Sequence, residues 1–488
     1  MEWTRLLSTK RQRQNRYKSQ KYGDADLRSE FEKDYHRIIG SASFRRLQDK
    51  TQVFPLDKSD FIRTRLTHSM EVSSLAKSLG QNIGESILVH KKDSSFTVQM
   101  KEDICNILQC AGLIHDIGNP PFGHYGEAAI REWFERNLPL LTYHGTSLEE
   151  LIEPQMREDF YHFEGNAQAL RLVSKLHFLV DENGMNLTYA LLNTIIKYPV
   201  ASTKIHPESG DIREKKMGYY YADRELFEDI VSETGAGNHR HPLTFILEAA
   251  DDIAYKTADI EDAFVKRFLT YHSLRDELRK LQNREKKYAD PEEKDQNWFC
   301  PADKLVELYD RAKKNGVDDP GDYAVKNWIV KAQGFLIGCA TSGFTSHYEE
   351  IMEGTYKKDL FAGTLAEGLV KLLGEIACKC VFKTETIYRM EVKEAVMLDN
   401  LLDRFVGAAI KYDDPTQKLN SIEERLISFI SNNYKKASLS CRRKIRGLSS
   451  LSETSASYGL YLWYDRQLCE EAVSGIECDY GIKENISE

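Results

Sequence analysis

The stretch HDIGNPPFGHYGE, residues 115–127, is the part of the sequence around which the rest of the chain is organised. It places the adjacent donors His115 and Asp116 before a Gly-Asn-Pro-Pro turn, and His124 and Glu127 three positions apart after it. In the preceding residues 104–114, apolar side chains recur with a helical period, and the glycine and prolines of the turn then end that helix. The sequence therefore predicts two pairs of polar side chains brought together by one tight turn.

Two further helical patterns carry polar side chains on an apolar face. From Val72 to Ile83 the apolar residues follow a helical spacing, and the same face extends backward through His68 to Arg65. In residues 242–264, Asp251, Tyr255 and Asp259 recur at i, i+4 and i+8 beside an apolar stripe. A solvent face with capping acids would also explain these acids. A tyrosine between two aspartates against an apolar stripe favours a pocket wall.

His68, His115, Asp116 and Asp251 are the candidate metal ligands. Two imidazoles and two carboxylates suit a divalent transition metal or magnesium. A single histidine on an apolar face is more often a core residue than a ligand. The adjacency of His115 and Asp116 at a helix end favours the ligand interpretation here.

The acid/base and phosphate-binding candidates come from five segments. His124 and Glu127 are predicted to form a general acid/base pair, with the carboxylate orienting the imidazole, and His162 is a second imidazole candidate. The candidate phosphate-binding residues are Arg63, Arg65, Lys197 and the loop from Lys216 to Tyr220. Lys197-Tyr198-Pro199 also ends a helical pattern, so capping of a helix C-terminus is an equally good explanation of that lysine.

Composition limits the class of protein. The 488 residues are 41% hydrophobic and 29% charged, which is an ordinary globular balance. The net charge of −9 argues against general nucleic-acid binding by the whole surface. No apolar run is long enough for a bilayer and no signal-peptide core is present, so we expect a cytoplasmic protein without a membrane partner. The nine cysteines form no CxxC pair, which argues against a zinc ribbon or a disulfide scaffold. The sequence shows no alternation of strand and helix patterns, so the predicted class is all-α.

A family resemblance rests on five motifs: RTRLTHSMEV (63–72), HDIGNPPFGHYGEAA (115–129), HFEGNAQ (162–168), KYP (197–199) and LEAADDIAY (247–255). Together they resemble the deoxyguanosine triphosphate triphosphohydrolase family of HD-domain metal phosphohydrolases. The match is dense from about residue 30 to 265 and thinner beyond. It implies an all-α HD-domain catalytic core at 31–273. Residues 1–30 are polar and basic, so we expect there an N-terminal arm that orders only against something else. A helical C-terminal region at 274–488 would contribute a base pocket and subunit contacts.

The resemblance also implies a role for individual residues. His68, His115, Asp116 and Asp251 would hold the metal, His124 and Glu127 would activate water or relay protons, and His162 would lie near the leaving group. Arg65, Lys197 and Tyr255 would hold the triphosphate, Gln52 and Asp259 would contact the sugar 3′-hydroxyl, and Val53 would pack under the deoxyribose. Phe382 and Glu391, in VFKTETIYRMEV, would lie near guanine.

The reaction implied is hydrolysis of dGTP to deoxyguanosine and inorganic tripolyphosphate with Mg²⁺ or Mn²⁺. The alternatives are a dNTP triphosphohydrolase of broader specificity, an HD phosphohydrolase acting on another nucleotide, and a nucleotide- or DNA-binding protein whose HD site is structural. The resemblance further implies a homo-oligomer, with a hexamer expected, and single-stranded DNA as an effector. The basic stretch 438–447 would reach a neighbouring subunit or such a strand, or it would be a solvated helix end.

Overall fold

Helices make up nearly all of the regular structure in the computed structural model, which describes residues 1–13, 26–50, 52, 63–90, 92–177, 183–285, 299–414, 416–430 and 435. The helices of the first half are α1 (Trp3–Leu6), α2 (Glu30–Ile39), α3 (Ala42–Arg45), α4 (Arg65–Val89), α5 (Val98–Ile114), α6 (Gly123–Asn137), α7 (Leu148–Leu151), α8 (Pro154–Tyr161), α9 (Gly165–Arg171) and α10 (Tyr189–Thr194). Those of the second half are α11 (Arg224–Thr234), α12 (Pro242–Val265), α13 (Tyr271–Arg284), α14 (Pro301–Lys314), α15 (Pro320–Ser346), α16 (Tyr348–Glu353), α17 (Glu367–Ala377), α18 (Glu385–Asp413) and α19 (Ser421–Phe429).

Short irregular helices and one hairpin complete the secondary structure. The 3₁₀ helices are Arg46–Asp49, Leu138–Leu140, Ser202–Lys204, Pro207–Ser209, Ile212–Glu214 and Tyr221–Asp223, and the π-helical turns are Leu172–Leu176 and Cys378–Phe382. The strands β1 (Thr142–Tyr143) and β2 (Thr146–Ser147) pair antiparallel. The all-α prediction is confirmed. No helix of the described residues is long and apolar enough to cross a membrane.

The pairing of α4 with α5 brings the first two predicted ligands together. Val72, Ala76, Leu79 and Ile83 of α4 and the apolar face of α5 are fully or almost fully buried in one cluster. Gly112 lies directly against the backbone of α4 and has no room for a side chain. The first turns of α4 therefore lie against the end of α5.

The helix α12 packs against both α4 and α5. Its start is fixed by the fully buried His241, whose side chain accepts a hydrogen bond from the backbone N–H of Leu243. The hydroxyl of Thr244 donates to the carbonyl of Thr194 at 2.9 Å and joins α12 to the end of α10. Leu243, Ala250 and the other apolar residues of the predicted stripe are buried. The adjacent polar stripe of α12 contacts the start of α4 and the end of α5 through Asp251.

The beginning of the chain differs from the predicted arm. Trp3 and Leu6 are fully buried, and the indole N–H of Trp3 donates to the Tyr348 hydroxyl at 2.8 Å. Arg11 pairs with the buried carboxylate of Asp34. The apolar side chains and the buried ion pair attach residues 1–13 to the protein's own core, and the arm at 1–30 as a whole stays a prediction.

One hydrophobic cluster spans both predicted parts of the chain and contains residues from Trp3 to Ile430. A second cluster joins α6 and α8 to Met217, Tyr220 and the α18 residues Leu398 and Leu402. The boundary at residue 273 stays a prediction. The basic stretch 438–447 and Val53 lie outside the described residues.

Candidate metal centre and active site

Three predicted ligands converge at the junction of α4, α5 and α12. The Nε2 atoms of His68 and His115 lie 3.3 and 3.4 Å from Oδ1 of Asp251, and the two imidazole rings meet edge to face at 5.3 Å between centroids. One donor atom from each residue lies within 4.8 Å of the other two. The neighbouring Asp252 instead faces Lys256 at 2.8 Å, as the helical stripe predicted.

Asp116, the fourth predicted ligand, lies at the edge of this group. Its Oδ1 is 3.6 Å from Nε2 of His115 and accepts a hydrogen bond from the Asn119 amide at 2.6 Å. Its Oδ2 accepts from Arg65 at 2.6 Å. Since a carboxylate oxygen has two lone pairs, Oδ1 can accept from Asn119 and still face a cation.

The donor set fits a divalent metal. The Nδ1 atom of His115 lies 2.8 Å from the Gly112 carbonyl, which fixes the tautomer with the proton on Nδ1 and leaves the Nε2 lone pair directed at the group. Nε2 of His115 is buried and has no hydrogen-bond partner among the described residues. Two imidazole nitrogens with carboxylate oxygens suit a transition metal or magnesium.

The carboxylates of this group are held in their ionised form. Burial by itself raises the pKa of Asp251, but the charge of the Lys197 ammonium opposes burial, and that pKa is held well below its usual range. Burial likewise opposes ionisation of Asp116, yet surrounding positive charge, which includes the Arg65 guanidinium, lowers its pKa to about 2. Ionised carboxylates beside two imidazoles are a binding site for a cation.

Two of the predicted phosphate-binding cations border the group. The Nζ of Lys197 is 3.1 Å from Oδ2 of Asp251, and only 13% of its side chain is exposed. Lys197 lies beyond the end of α10, and its contact with Asp251 favours the site interpretation over helix capping. Arg65 is buried beside Asp116.

Arg63 does not belong to this set, contrary to the sequence prediction. Its guanidinium contacts Glu71 at 3.0 Å, Asp262 at 2.5 Å and Glu261, so it joins α4 to the end of α12. Three carboxylates around one guanidinium leave it no free donor edge for a phosphate.

The turn between α5 and α6 passes close to the Arg65 guanidinium. Phe122 and Gly123 both adopt left-handed backbone conformations, with φ of 65° and 58°. A β-carbon on Gly123 would lie 2.5 Å from Nη2 of Arg65. The positive φ and the nearby guanidinium both favour glycine at this position.

His124 and Glu127 are in contact on the first turns of α6, as predicted. Nδ1 of His124 lies 3.2 Å from Oε2 of Glu127, and 82% of the histidine side chain is exposed whereas the glutamate is buried. Oε1 of Glu127 accepts from the Gly165 N–H at 2.8 Å, and Oε2 accepts from Arg131 at 3.1 Å. A fixed carboxylate thus orients an accessible imidazole.

His162 lies between α8 and α9, in the connection whose end at Gly165 hydrogen-bonds to Glu127. Its Nε2 is 3.6 Å from Glu158, and 45% of its side chain is exposed. The carbonyl of the next residue, Phe163, accepts from Nε of Arg131 at 2.8 Å, which attaches the segment to α6.

The loop predicted to bind phosphate divides into two parts. Lys216 lies 2.7 Å from Oε2 of the buried Glu164 and 3.8 Å from Glu127, so its ammonium is beside the acid/base pair. Tyr220 instead packs its ring in the second hydrophobic cluster, 5.2 Å from the Arg171 guanidinium. Tyr198 is also buried, with its ring 6.0 Å from the Arg240 guanidinium. These two tyrosines are therefore packed as core residues.

The predicted sugar and base contacts lie along α12 and in the C-terminal part. The ring of Tyr255 is parallel to that of Phe382, with an interplanar angle of 8° and 6.2 Å between centroids. Asp259 is buried, and burial together with Asp262 raises its pKa well above the usual range. Oε1 of Gln52 and Oδ2 of Asp259 have no hydrogen-bond partner among the described residues. Glu391 is half-buried on α18, where burial raises its pKa.

Sequence reasoning missed the residues that support these side chains. Glu164 was inside a quoted motif, and Glu248 precedes Asp251 by three positions on the same face of α12, so both carried a spacing signal. Asn119, three residues after Asp116 in the same motif, and Arg131, four residues after Glu127 on α6, carried such a signal as well. Arg240 carried none, because its contact with Lys197 depends on tertiary packing.

Comparison with known proteins gives a consistent result. Residues 65–255 match the family model described as the HD domain. A deoxyguanosinetriphosphate triphosphohydrolase-like protein of Listeria innocua is 44% identical over 446 residues, which cover 91% of each chain. A similarly named protein of Synechocystis is 32% identical over 93% of this chain and 98% of its own. A deoxyguanosinetriphosphate triphosphohydrolase of Serratia proteamaculans is 31% identical over 94% of this chain and 93% of its own.

Proposed function

The chain belongs to the deoxyguanosinetriphosphate triphosphohydrolase family of HD-domain hydrolases, and from this premise we propose that it hydrolyses dGTP to deoxyguanosine and inorganic tripolyphosphate. The HD domain implies a divalent metal, and we propose Mg²⁺ or Mn²⁺. The observation that carries the proposal is the meeting of His68, His115 and Asp251 beside the ammonium of Lys197.

The residues that would hold the metal are His68, His115 and Asp251, with Asp116 as the predicted fourth ligand. The chemistry that the ion supplies when bound is neutralisation of phosphate charge and polarisation of phosphoryl oxygens. Arg65 and Lys197 add fixed positive charge around the same point, where they would bind the triphosphate and stabilise charge that develops during the reaction.

The acid/base residues account for the protons. In the proposed reaction a water oxygen bonds to the α-phosphorus, the bond from that phosphorus to the 5′ oxygen breaks, and the 5′ oxygen takes up a proton. We assign His124 to accept the proton of the attacking water, a role supported by its exposure and by the contact of its Nδ1 with Glu127. We assign His162 to the leaving-group side, where Glu158 lies beside its imidazole.

Selectivity is assigned to the surface formed by α12 and the C-terminal part. The parallel rings of Tyr255 and Phe382 join these two parts. We propose that Tyr255 contacts the phosphates, that Asp259 and Gln52 bind the sugar hydroxyl, and that Phe382 and Glu391 contact guanine. Val53, Tyr198, Lys216 and Tyr220 complete the predicted substrate set, and the buried rings of Tyr198 and Tyr220 would act by shaping the pocket.

The test is product analysis with each dNTP, GTP and dGMP in the presence of Mg²⁺ or Mn²⁺. We expect deoxyguanosine and intact tripolyphosphate from dGTP, with the oxygen of ¹⁸O-labelled water recovered in tripolyphosphate. Release of single phosphates in steps would refute the reaction. Equal turnover of all dNTPs would support the broader alternative, and turnover of monophosphates alone would support a different HD phosphohydrolase.

Variants connect the reaction to the described site. Lys197→Met should raise KM for dGTP because it removes one of two phosphate-binding cations. Lys204→Met is the matched control, since Lys204 is exposed on a 3₁₀ helix nearby in sequence. We further propose a cytoplasmic homo-oligomer, with a hexamer as the size to test by light scattering, and single-stranded DNA as an effector to test by its influence on KM.

A further inference from the structure

Arg240 is a buried arginine that contacts Lys197 through its backbone. Only 1% of its side chain is exposed, and its Nε donates to the Lys197 carbonyl at 2.9 Å. The guanidinium also lies 5.1 Å from the Phe245 ring. These contacts hold the chain at residue 197 against the start of α12.

The same guanidinium binds Glu248 through two nitrogens. Nη1 lies 2.6 Å from one carboxylate oxygen and Nη2 lies 3.3 Å from the other. Glu248 precedes Asp251 by three residues on α12, so both carboxylates lie on the face that Lys197 approaches. Arg240, Glu248, Lys197 and Asp251 thus form two cation–carboxylate pairs side by side.

This arrangement decides which carboxylate Lys197 contacts. The Lys197 ammonium is 3.1 Å from Asp251, while Glu248 is already bound by Arg240. A metal ion bound by His68, His115 and Asp251 would weaken the ion pair between Asp251 and Lys197. The Lys197 ammonium would then be available to bind an anion. An unpaired Glu248, one helical turn from Asp251 on α12, would then be an alternative partner for that ammonium.

We propose that Arg240 is a positioning residue that keeps Lys197 available for substrate phosphates. Arg240 fixes the backbone of Lys197 and occupies Glu248, so that Glu248 does not capture the ammonium when substrate and metal engage Asp251. The proposal rests on the proposed function, because it assumes that Lys197 binds the polyphosphate of the substrate.

The test is calorimetric titration with inorganic tripolyphosphate in the presence of Mg²⁺, using the full chain. Arg240→Gln should weaken binding about tenfold, as expected when a competing carboxylate takes one ammonium from the phosphate in a partly buried site. Glu248→Gln should bind at least as tightly as the wild type, because it removes the competitor. The double variant Arg240→Gln/Glu248→Gln should bind more tightly than Arg240→Gln alone.

A purely structural role predicts a different pattern, in which both single changes weaken binding and the double change is no better. Arg11→Gln is the matched control, since it also removes a buried arginine paired with a carboxylate but contacts none of the proposed site residues. Thermal unfolding of each variant separates loss of fold from loss of binding. If Arg240→Gln does not fold, Glu248→Gln and Arg240→Lys are measured in its place. Weakened tripolyphosphate binding by Glu248→Gln would then overturn the proposal.

The two proposals fail separately. The predicted binding pattern without release of tripolyphosphate from dGTP would refute the proposed function and leave the role of Arg240 supported. Hydrolysis of dGTP with unchanged tripolyphosphate binding in Arg240→Gln would refute the positioning role alone. Absence of tripolyphosphate binding by the wild type would also overturn it.

Discussion

Gly112 of α5 lies so close to Ser73 of α4 that a β-carbon at position 112 would be 2.5 Å from the Ser73 Cα. The obstructing atoms belong to the backbone of α4, so they cannot rotate away. Because His68 precedes Ser73 on α4 and His115 follows Gly112, this contact sets the distance between the two candidate ligands. The candidate metal centre therefore depends on a glycine that supplies none of its donor atoms.

Replacing Gly112 by alanine should push α4 and α5 apart. We expect a loss of about 1–3 kcal/mol in the free energy of unfolding, as for other overpacked cores, together with weaker Mn²⁺ binding. Urea unfolding and Mn²⁺ titration would measure the two effects. Gly338→Ala is the control, because Gly338 lies within α15 with no atom within 4 Å of its β-carbon position. Unchanged Mn²⁺ binding in Gly112→Ala would show that the helix contact does not set the ligand distance.

His124→Ala should abolish most turnover without affecting stability. The side chain is 82% exposed, so its loss removes little packing, whereas loss of a general acid/base typically lowers kcat by about 10²- to 10⁴-fold. Initial rates and Mn²⁺ binding would be measured together, and we expect binding to be retained. His206→Ala is the control, since His206 is exposed on the surface. Full activity of His124→Ala would remove the acid/base assignment.

Metal removal should lower both activity and thermal stability. A ligand that binds the folded state alone raises the free energy of unfolding by mass action, and the ionised Asp251 and Asp116 repel one another without a cation. Dialysis against EDTA should abolish turnover and lower Tm, and Mn²⁺ or Mg²⁺ should restore both.

Asp251→Asn should eliminate the rise in Tm on adding metal. Asp252→Asn is its matched control because Asp252 pairs with Lys256 on the other side of α12. A metal-dependent rise in Tm that survives in Asp251→Asn would exclude Asp251 as a ligand.

His241 should make stability fall below neutral pH. Its Nδ1 accepts from the Leu243 N–H, and its Nε2 lies 3.2 Å from the Leu6 carbonyl, so the buried imidazole is neutral. Burial lowers its pKa to about 4. In the unfolded chain histidine titrates near 6.5, so between these values the unfolded state binds a proton that the folded state does not, and acid destabilises the fold.

The expected size is about 2 kcal/mol between about pH 7 and about pH 5. His241→Asn can still accept from the Leu243 N–H but does not titrate, so its free energy of unfolding should fall less over this range. Urea unfolding at the two pH values gives the comparison. An equal fall in both proteins would show that other groups account for the acid sensitivity.

Much of the site could be predicted because it depends on local spacing. The i, i+4, i+8 stripe on α12 singled out Asp251, which lies beside His115, whereas Asp252 faces Lys256. The Gly-Asn-Pro-Pro turn separates His115, which caps the end of α5, from His124 in the first turn of α6. These outcomes follow from helix periodicity and from the backbone preferences of glycine and proline, which act over a few residues.

The tertiary structure decided the partners of the charged side chains. Arg63 and Arg65 are two residues apart in one motif, yet Arg63 is bound by three carboxylates while Arg65 faces Asp116. Similarly, Trp3 is buried against α16 although its segment is predicted to be a basic arm. The side chains that share a helix face could be predicted from the sequence, because the helical period fixes their directions. The ion-pair partners and the segments that enter the core depend on contacts between residues far apart in the sequence. Those contacts form only when the helices pack together.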